Sequence, residues 1–452
     1  MFLRYFKSSI WRNLVAIFFV AMDISLCAYA QDYYNEKNLL DTLVEHRILT
    51  EQDALQTRKL MVNTSDITMQ KSLVKSFNLG AYTQFRYQFS HQKATEGNIE
   101  KTRTANGETI RRVIFLYNAH FNDTSNMIVV LNLVEPSPFD SFYFKKTVDL
   151  SIFKGAIHFG VMKPEFNMEY TAAAKLKVPE RSIVNSFWGG KDVGYDDYYH
   201  ESKPNQCLAG NHLGLYWRGN MPFDERIIYG LSITNAKNAY WYKLEQDLEL
   251  AYWWNIGYAV KNDKHDFQAG LNFGYTPNAS SAYDSNTHNA VKCECIGSVA
   301  YFIYQGENLF IQGEFAITTS EHGKTMSDEH AVYTTDSRSA TPFGAFLILG
   351  YAFDLGSLGI FEPICRYSYI DTDGAGISEN NVIYSIKKSL NGYYNKVDSY
   401  YVGFNWYLDK QERRNWKIAT GLEYYHFYDS PTSIKSKSCN VSAFITQLQI
   451  LF

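Results

Sequence analysis

After the first thirty residues the chain never gathers 18 consecutive apolar residues, yet from Asn78 to Phe452 it alternates apolar and polar side chains with a period of two. Near the C-terminus Phe444, Thr446, Leu448, Ile450 and Phe452 share one strand face, with Ala443, Gln447 and Gln449 on the other. Tyr400, Val402, Phe404, Trp406 and Leu408 alternate in the same way with Tyr401, Gly403, Asn405 and Tyr407. At the start, Leu79, Ala81, Thr83, Phe85, Tyr87 and Phe89 alternate with Gly80, Tyr82, Gln84, Arg86 and Gln88. Such segments are too polar for membrane helices. They are long enough to cross a bilayer as tilted strands of about 9–11 residues. In lipid every backbone amide must find a partner, so a spanning sheet has to close on itself.

The pattern predicts an all-β transmembrane antiparallel barrel over residues 78–452. Sixteen strands are expected to begin near Asn78, Glu108, Asn126, Phe144, Lys154, Gly210, Arg226, Leu248, Asp266, Val291, Glu307, Pro342, Ser357, Val397, Trp416 and Asn440. An even number keeps both ends periplasmic, and sixteen strands enclose an aqueous lumen. Gln305-Gly306 and Asp354-Leu355-Gly356 read as tight periplasmic turns. The polar stretches 91–107, 276–290, 319–341 and 372–396 read as outside loops. Residues 163–209 break the rhythm with Lys163-Pro164, Pro179-Glu180-Arg181-Ser182 and Trp188-Gly189-Gly190. A long irregular segment rich in Pro and aromatics is read as a constriction loop inserted into the lumen.

The N-terminus reads as an export signal. Arg4, Lys7 and Arg12 precede a short apolar stretch from Leu14 to Leu26, and Ala28-Tyr29-Ala30 offers a cleavage site before Gln31. Residues 31–77 form a periplasmic segment. In it Leu39, Leu40, Leu43, Val44 and Ile48 sit at helical spacing, and Thr50-Glu51-Gln52-Asp53 resembles a capping box. Removing residues 1–30 takes three basic and one acidic side chain from 43 Lys+Arg and 47 Asp+Glu, and the remainder is acidic overall. That excludes a generally basic nucleic-acid binder, although a local basic site is still allowed. The 35 Tyr and 30 Phe suit the aromatic girdles of such a barrel. Five cysteines remain (Cys207, Cys293, Cys295, Cys365 and Cys439), too odd a count for a full disulfide framework. Cys293-Glu294-Cys295 is spaced too tightly for a usual zinc knuckle, so no metal or other cofactor is expected.

Several blocks, in order, resemble the phosphate-selective porin O and P family. They are Leu39 to Val44 with Leu49 to Ala54, Asn118 to Asn126, Val161 to Asn167, Pro179 to Asn185, Cys365 to Asp371, Gly403 to Leu408 and Gln447 to Phe452. The resemblance implies a sixteen-stranded homotrimer in outer-membrane lipid, with an anion-preferring channel lined by arginines. Strand parity places Arg86, Arg112, Arg218 and Arg366 inside, with Arg181, Lys163 and Lys191 in the inserted loop. Parity also turns Glu249, Glu314, Glu362 and Glu423 inward, which dilutes the anion preference toward a general pore for small hydrophilic solutes. Arg suits oxyanions because its planar fork donates two parallel hydrogen bonds. The competing role for Arg181 is a staple, paired with Glu165 or Glu180.

Two other function classes compete with the channel. One is a structural or adhesive surface barrel. The other is an outer-membrane lipid hydrolase, which needs a nucleophile beside a base. His120, His158 and His212 face inward, but no Ser–His pair stands out on neighbouring outward positions, so no catalytic residue is expected. The sequence also has no phosphate-cradling glycine loop and no His-Glu-x-x-His.

Overall fold

The computed structural model describes residues 74–451, apart from 97–98, 135–138, 151–152, 172–176, 189–207, 237–248, 284–289, 323–337, 379–392, 410–415 and 431–437. The expected signal peptide, the helical segment up to residue 73 and Lys191 lie outside the described residues.

Sixteen antiparallel strands follow one another in chain order: β1 (Ser76–Glu96), β2 (Ile99–Asn122), β3 (Ser125–Asn132), β4 (Phe139–Leu150), β5 (Phe153–Met162), β6 (His212–Met221), β7 (Asp224–Asn235), β8 (Leu250–Lys261), β9 (Asp266–Tyr283), β10 (Ala290–Gln305), β11 (Leu309–Ser320), β12 (Phe343–Tyr351), β13 (Ile360–Asp371), β14 (Lys396–Tyr407), β15 (Trp416–Tyr428) and β16 (Ser438–Leu451). A two-residue piece, Phe353–Asp354, continues β12 along β13. Each strand pairs with the next, and β1 pairs with β16 from Tyr82↔Leu451 to Thr95↔Ser438, so the sheet closes on itself. No helix of the described residues is long and apolar enough to cross a membrane. Closure satisfies the amides that lipid cannot.

The two faces follow the period-two reading. Leu79, Phe85 and Phe89 on β1, Val402 on β14, and Leu422 and Phe444 on β15 and β16 are exposed on the outer face. Gln84, Arg86 and Gln88, Tyr401 and Asn405, and Ala443, Gln447 and Gln449 are buried on the inner one.

Strand lengths depart from expectation in several places. Residues 91–107, expected as a loop, are mostly strand: β1 has 21 residues and β2 has 24, paired out to Glu96↔Ile99. The alternation continues through Ser90, Gln92 and Ala94, all buried, and the polar composition masked it. β4 starts at Phe139 rather than Phe144, where a register shift against β3 interrupts the alternation, and β9 runs on to Tyr283 inside the polar stretch 276–290 expected as a loop. Of the two close cysteines, Cys295 is buried on β10 and is not in a disulfide.

Candidate functional site

Between β5 and β6 the chain turns into the lumen, where two short helices form, α1 (Met168–Thr171) and α2 (Ile183–Trp188). Ser182 starts α2 by accepting the Asn185 N–H on its hydroxyl at 3.2 Å, an N-cap interaction. The Ser182 N–H and hydroxyl both donate to Glu169 Oε2, at 2.9 and 2.7 Å, which ties the two helices together.

Apolar packing holds one side of this segment. Ile183, Val184, Phe187 and Trp188 are buried in a cluster with Phe166, Leu208, Trp253, Val299, Phe346, Ile348 and Ile370. The indole N–H of Trp188 donates to Thr318 Oγ1 at 3.0 Å. Asn272 donates to the Phe166 carbonyl at 2.7 Å and Trp253 to the Leu208 carbonyl at 3.1 Å, so wall side chains satisfy loop carbonyls at both ends of the segment. Buried polar groups need such partners.

Charge holds the other side. Glu180 accepts from Arg111 through both carboxylate oxygens, at 2.6 and 2.7 Å, and is also paired with Arg86. Arg86 donates further to the Pro179 carbonyl (2.7 Å) and to Gln447 (2.8 Å). Arg366 donates to the Glu180 carbonyl at 2.6 Å and pairs with Glu423. Burial alone would raise the Glu180 carboxyl, but the Arg111 and Arg86 guanidiniums outweigh it and hold the group at about 2. Lower on the segment, Lys177 bridges to Glu362 at 2.7 Å and lies 4.8 Å over the Phe310 ring. Arg218 pairs with Glu165 at 3.1 Å and donates to the Lys163 carbonyl at 2.9 Å. Lys163 itself faces Asp140 at 3.6 Å.

The structure therefore reassigns the staple. Its carboxylates are Glu165 and Glu180, as expected, but Glu180 is gripped by the wall arginines Arg86 and Arg111 and Glu165 by Arg218. Arg181 instead lies within electrostatic reach of Arg112 and Tyr82.

Arg111 is the residue that strand parity missed. The register between β1 and β2 slips from Gln84↔Arg112 to Phe85↔Ile110, which leaves Arg111 as the extra residue of a bulge. The bulge turns Arg111 and Arg112 to the same side. The signal was present in the sequence: Ile110, Val113 and Phe115 are spaced three and then two, a break in the alternation beside two adjacent arginines.

The segment divides the lumen unequally. Inward residues of β10 to β16, such as Val299, Ser368, Val397, Ser399, Asn405 and Phe427, are at or near zero exposure. The water-filled lumen expected from strand number is thus closed along this wall, because the inserted segment packs dry against it. On β2 to β4 several inward side chains keep contact with solvent, whereas Ile114 and Asn132, and His158, Met162, His212 and Tyr216 on β5 and β6, are buried. Leu116 is 41% exposed, and Asn118, Ile128, Val130, Tyr143 and Lys145 are partly exposed. At the level of the segment the same wall carries Arg112, Arg218 (27% exposed), Lys163 and Asp140, with Arg181 opposite on the loop.

The histidines are absorbed structurally. His120 contacts Asn78 at 3.5 Å, His158 meets the Tyr143 ring edge-on at 5.6 Å, and His212 contacts the Asn235 carbonyl at 3.0 Å and the Trp253 ring. Among the described residues no group of three or more His, Cys, Asp or Glu side chains is placed to hold a metal ion.

No protein-family model matches the sequence, and no curated protein does. Solved structures do resemble it in fold. The anion-selective porin of Comamonas acidovorans is 9% identical, with 83% of this chain and 100% of that one covered and a TM-score of 0.50. OprB of Pseudomonas putida is 8% identical, covering 82% and 94%, with a TM-score of 0.49. The outer membrane channel DcaP of Acinetobacter baumannii is 9% identical, covering 83% and 97%, with a TM-score of 0.45. At these identities the likeness is one of fold: a closed sixteen-stranded antiparallel barrel of the outer-membrane type.

Proposed function

We propose that the chain is an outer-membrane porin through which small hydrophilic solutes diffuse passively, with a weak preference for anions. The observation that carries this reading is the uneven division of the lumen. The inserted segment seals the β10–β16 side and leaves solvent along part of the β2–β6 side, where basic groups outnumber acidic ones among the described residues. Arg112, Arg181, Arg218, Lys163 and Lys145 face Asp140 and Glu165 there. A narrow passage selects by the charges that line it, and this excess lowers the barrier for anions. The fold shared with an anion-selective porin supports the same reading.

Most of the inward arginines have another task. Arg86, Arg111 and Arg366 direct donors to Glu180 and Glu423, and Arg218 is paired with Glu165. The anion preference is accordingly modest and does not reach the strength of an unopposed arginine ladder. Phosphate is one solute among several, as the resemblance to the phosphate-selective porins suggests, and the assembly is a homotrimer. Solutes pass unchanged, and the barrel catalyses nothing.

Purified protein in a planar bilayer tests the reading. Discrete conductance steps and a reversal potential on the anion side of a potassium chloride gradient support it. A silent barrel refutes the channel and leaves the adhesive role. A cation-side potential refutes the selectivity.

A further inference from the structure

One stretch of the open wall is apolar where a water-facing surface should be polar. Along the inward face of β2, Arg112 is followed by Ile114 and Leu116. Gly80 on β1 lies opposite Leu116, Tyr82 opposite Ile114, and Val130 and Ile128 on β3 opposite Leu116 and Asn118. All face the lumen, because they share the face of Tyr82 and Gln84. Leu116 is 41% exposed and Val130 and Ile128 are partly exposed, while Ile114 and Tyr82 are buried between them and Arg112. Exposed apolar surface that is not lipid-facing marks a contact surface for something.

The upper end of this strip is basic. Arg112 Nη1 is buried and finds no hydrogen-bond partner among the described residues. Arg111 and Arg181 are close enough to repel Arg112, and Tyr82, opposite Ile114, is within electrostatic reach of all three. Arg112 and Leu116 are four residues apart, about 13 Å along the strand. A cationic head site therefore sits above an apolar wall, on one face, at a fixed offset.

We propose that this strip is a binding track for amphipathic organic anions, meaning carboxylates with an aliphatic or aromatic body. The carboxylate docks at Arg112 and Arg181, and the body extends past Ile114 onto Leu116, Val130 and Ile128. The inference rests on the porin reading and deepens it, because it separates such acids from inorganic anions of the same charge. A carboxylate matches the guanidinium fork. Each methylene covered by the strip tightens binding, by up to about fourfold when fully buried.

The test uses the full-length protein in planar bilayers, with acetate and hexanoate as blockers of the chloride current. Hexanoate should halve the current at a concentration roughly tenfold below that of acetate, since one wall covers only part of its four extra methylenes. Leu116→Ser combined with Val130→Ser should bring the ratio close to one. Arg112→Gln should raise both half-blocking concentrations. Leu79→Ala, on the lipid face of β1, should keep the wild-type ratio and so controls for general damage. Equal block by the two acids, or a ratio unchanged in the double variant, overturns the track while leaving the channel intact. Absence of any current removes the channel, and the track with it.

Discussion

Replacing Glu180 with Gln should loosen the inserted segment and enlarge the pore. Glu180 is a carboxylate on which Arg86 and Arg111 converge, and its own carbonyl holds Arg366. All of these groups are buried or nearly so. Removing one partner from a buried charge network costs about 3–5 kcal/mol, because the remaining charges stay desolvated without compensation. Depression of the Glu180 carboxyl from its ordinary 4.5 to about 2 corresponds to about 3 kcal/mol on the same scale. Since 1.4 kcal/mol is a tenfold change, the population with residues 177–182 undocked should rise by roughly two orders of magnitude. The apolar anchor at Trp188 stays, so the change is local and the barrel persists. Single-channel recordings should then show a larger mean conductance with frequent steps between levels, and a reversal potential moved further toward anions, since two guanidiniums lose their counter-charge. Conductance and reversal potential both equal to wild type would refute the assignment of Glu180 as the clasp.

Other perturbations separate the remaining parts. Arg181→Ala should reduce the anion preference without raising conductance noise, because Arg181 faces Arg112 rather than the Glu180 clasp; the reversal potential in a salt gradient reads this. Trp188→Ala should cost about 3–5 kcal/mol of loop docking through the cavity it leaves, seen as faster proteolysis within 163–209 of the reconstituted barrel. For pH, the depressed Glu180 carboxyl contributes docking stability that is complete above about 4.5 and is lost as pH falls toward 2. Wild-type conductance should therefore become noisy in that window, and Glu180→Gln should be noisy at every pH.

The barrel was legible because its two periods do different work. Alternation places every second side chain on lipid, and the inward positions of Arg86, Arg112, Arg218, Arg366, Glu314, Glu362 and Glu423 follow from counting by two. Counting fails at a bulge, which is why Arg111 escaped although it carries the bidentate contact to Glu180. The identity of ion pairs is also beyond parity. Glu165 and Glu180 are the carboxylates of the staple, yet which arginines hold them depends on how the loop folds across the barrel. Polar composition hid the outer parts of β1 and β2, because strands beyond the membrane lose the lipid-facing residues that make alternation visible. The dry side of the lumen did leave a trace, since Val441, Ala443 and Ile445 are apolar at inward positions of β16. Such residues need a packing partner, and the inserted segment supplies it along this side.

Cysteine accessibility along the two inner walls tests the central claim most directly. In a background with the native cysteines replaced, Asn118→Cys and Tyr143→Cys on the β2–β4 side, and Ser368→Cys and Ser399→Cys on the β13–β14 side, would be exposed to a charged, membrane-impermeant thiol reagent during recording. An eccentric passage predicts rapid modification and reduced current at the first pair, with no reaction at the second. Equal modification of both pairs, or reaction at Ser399→Cys alone, would contradict it.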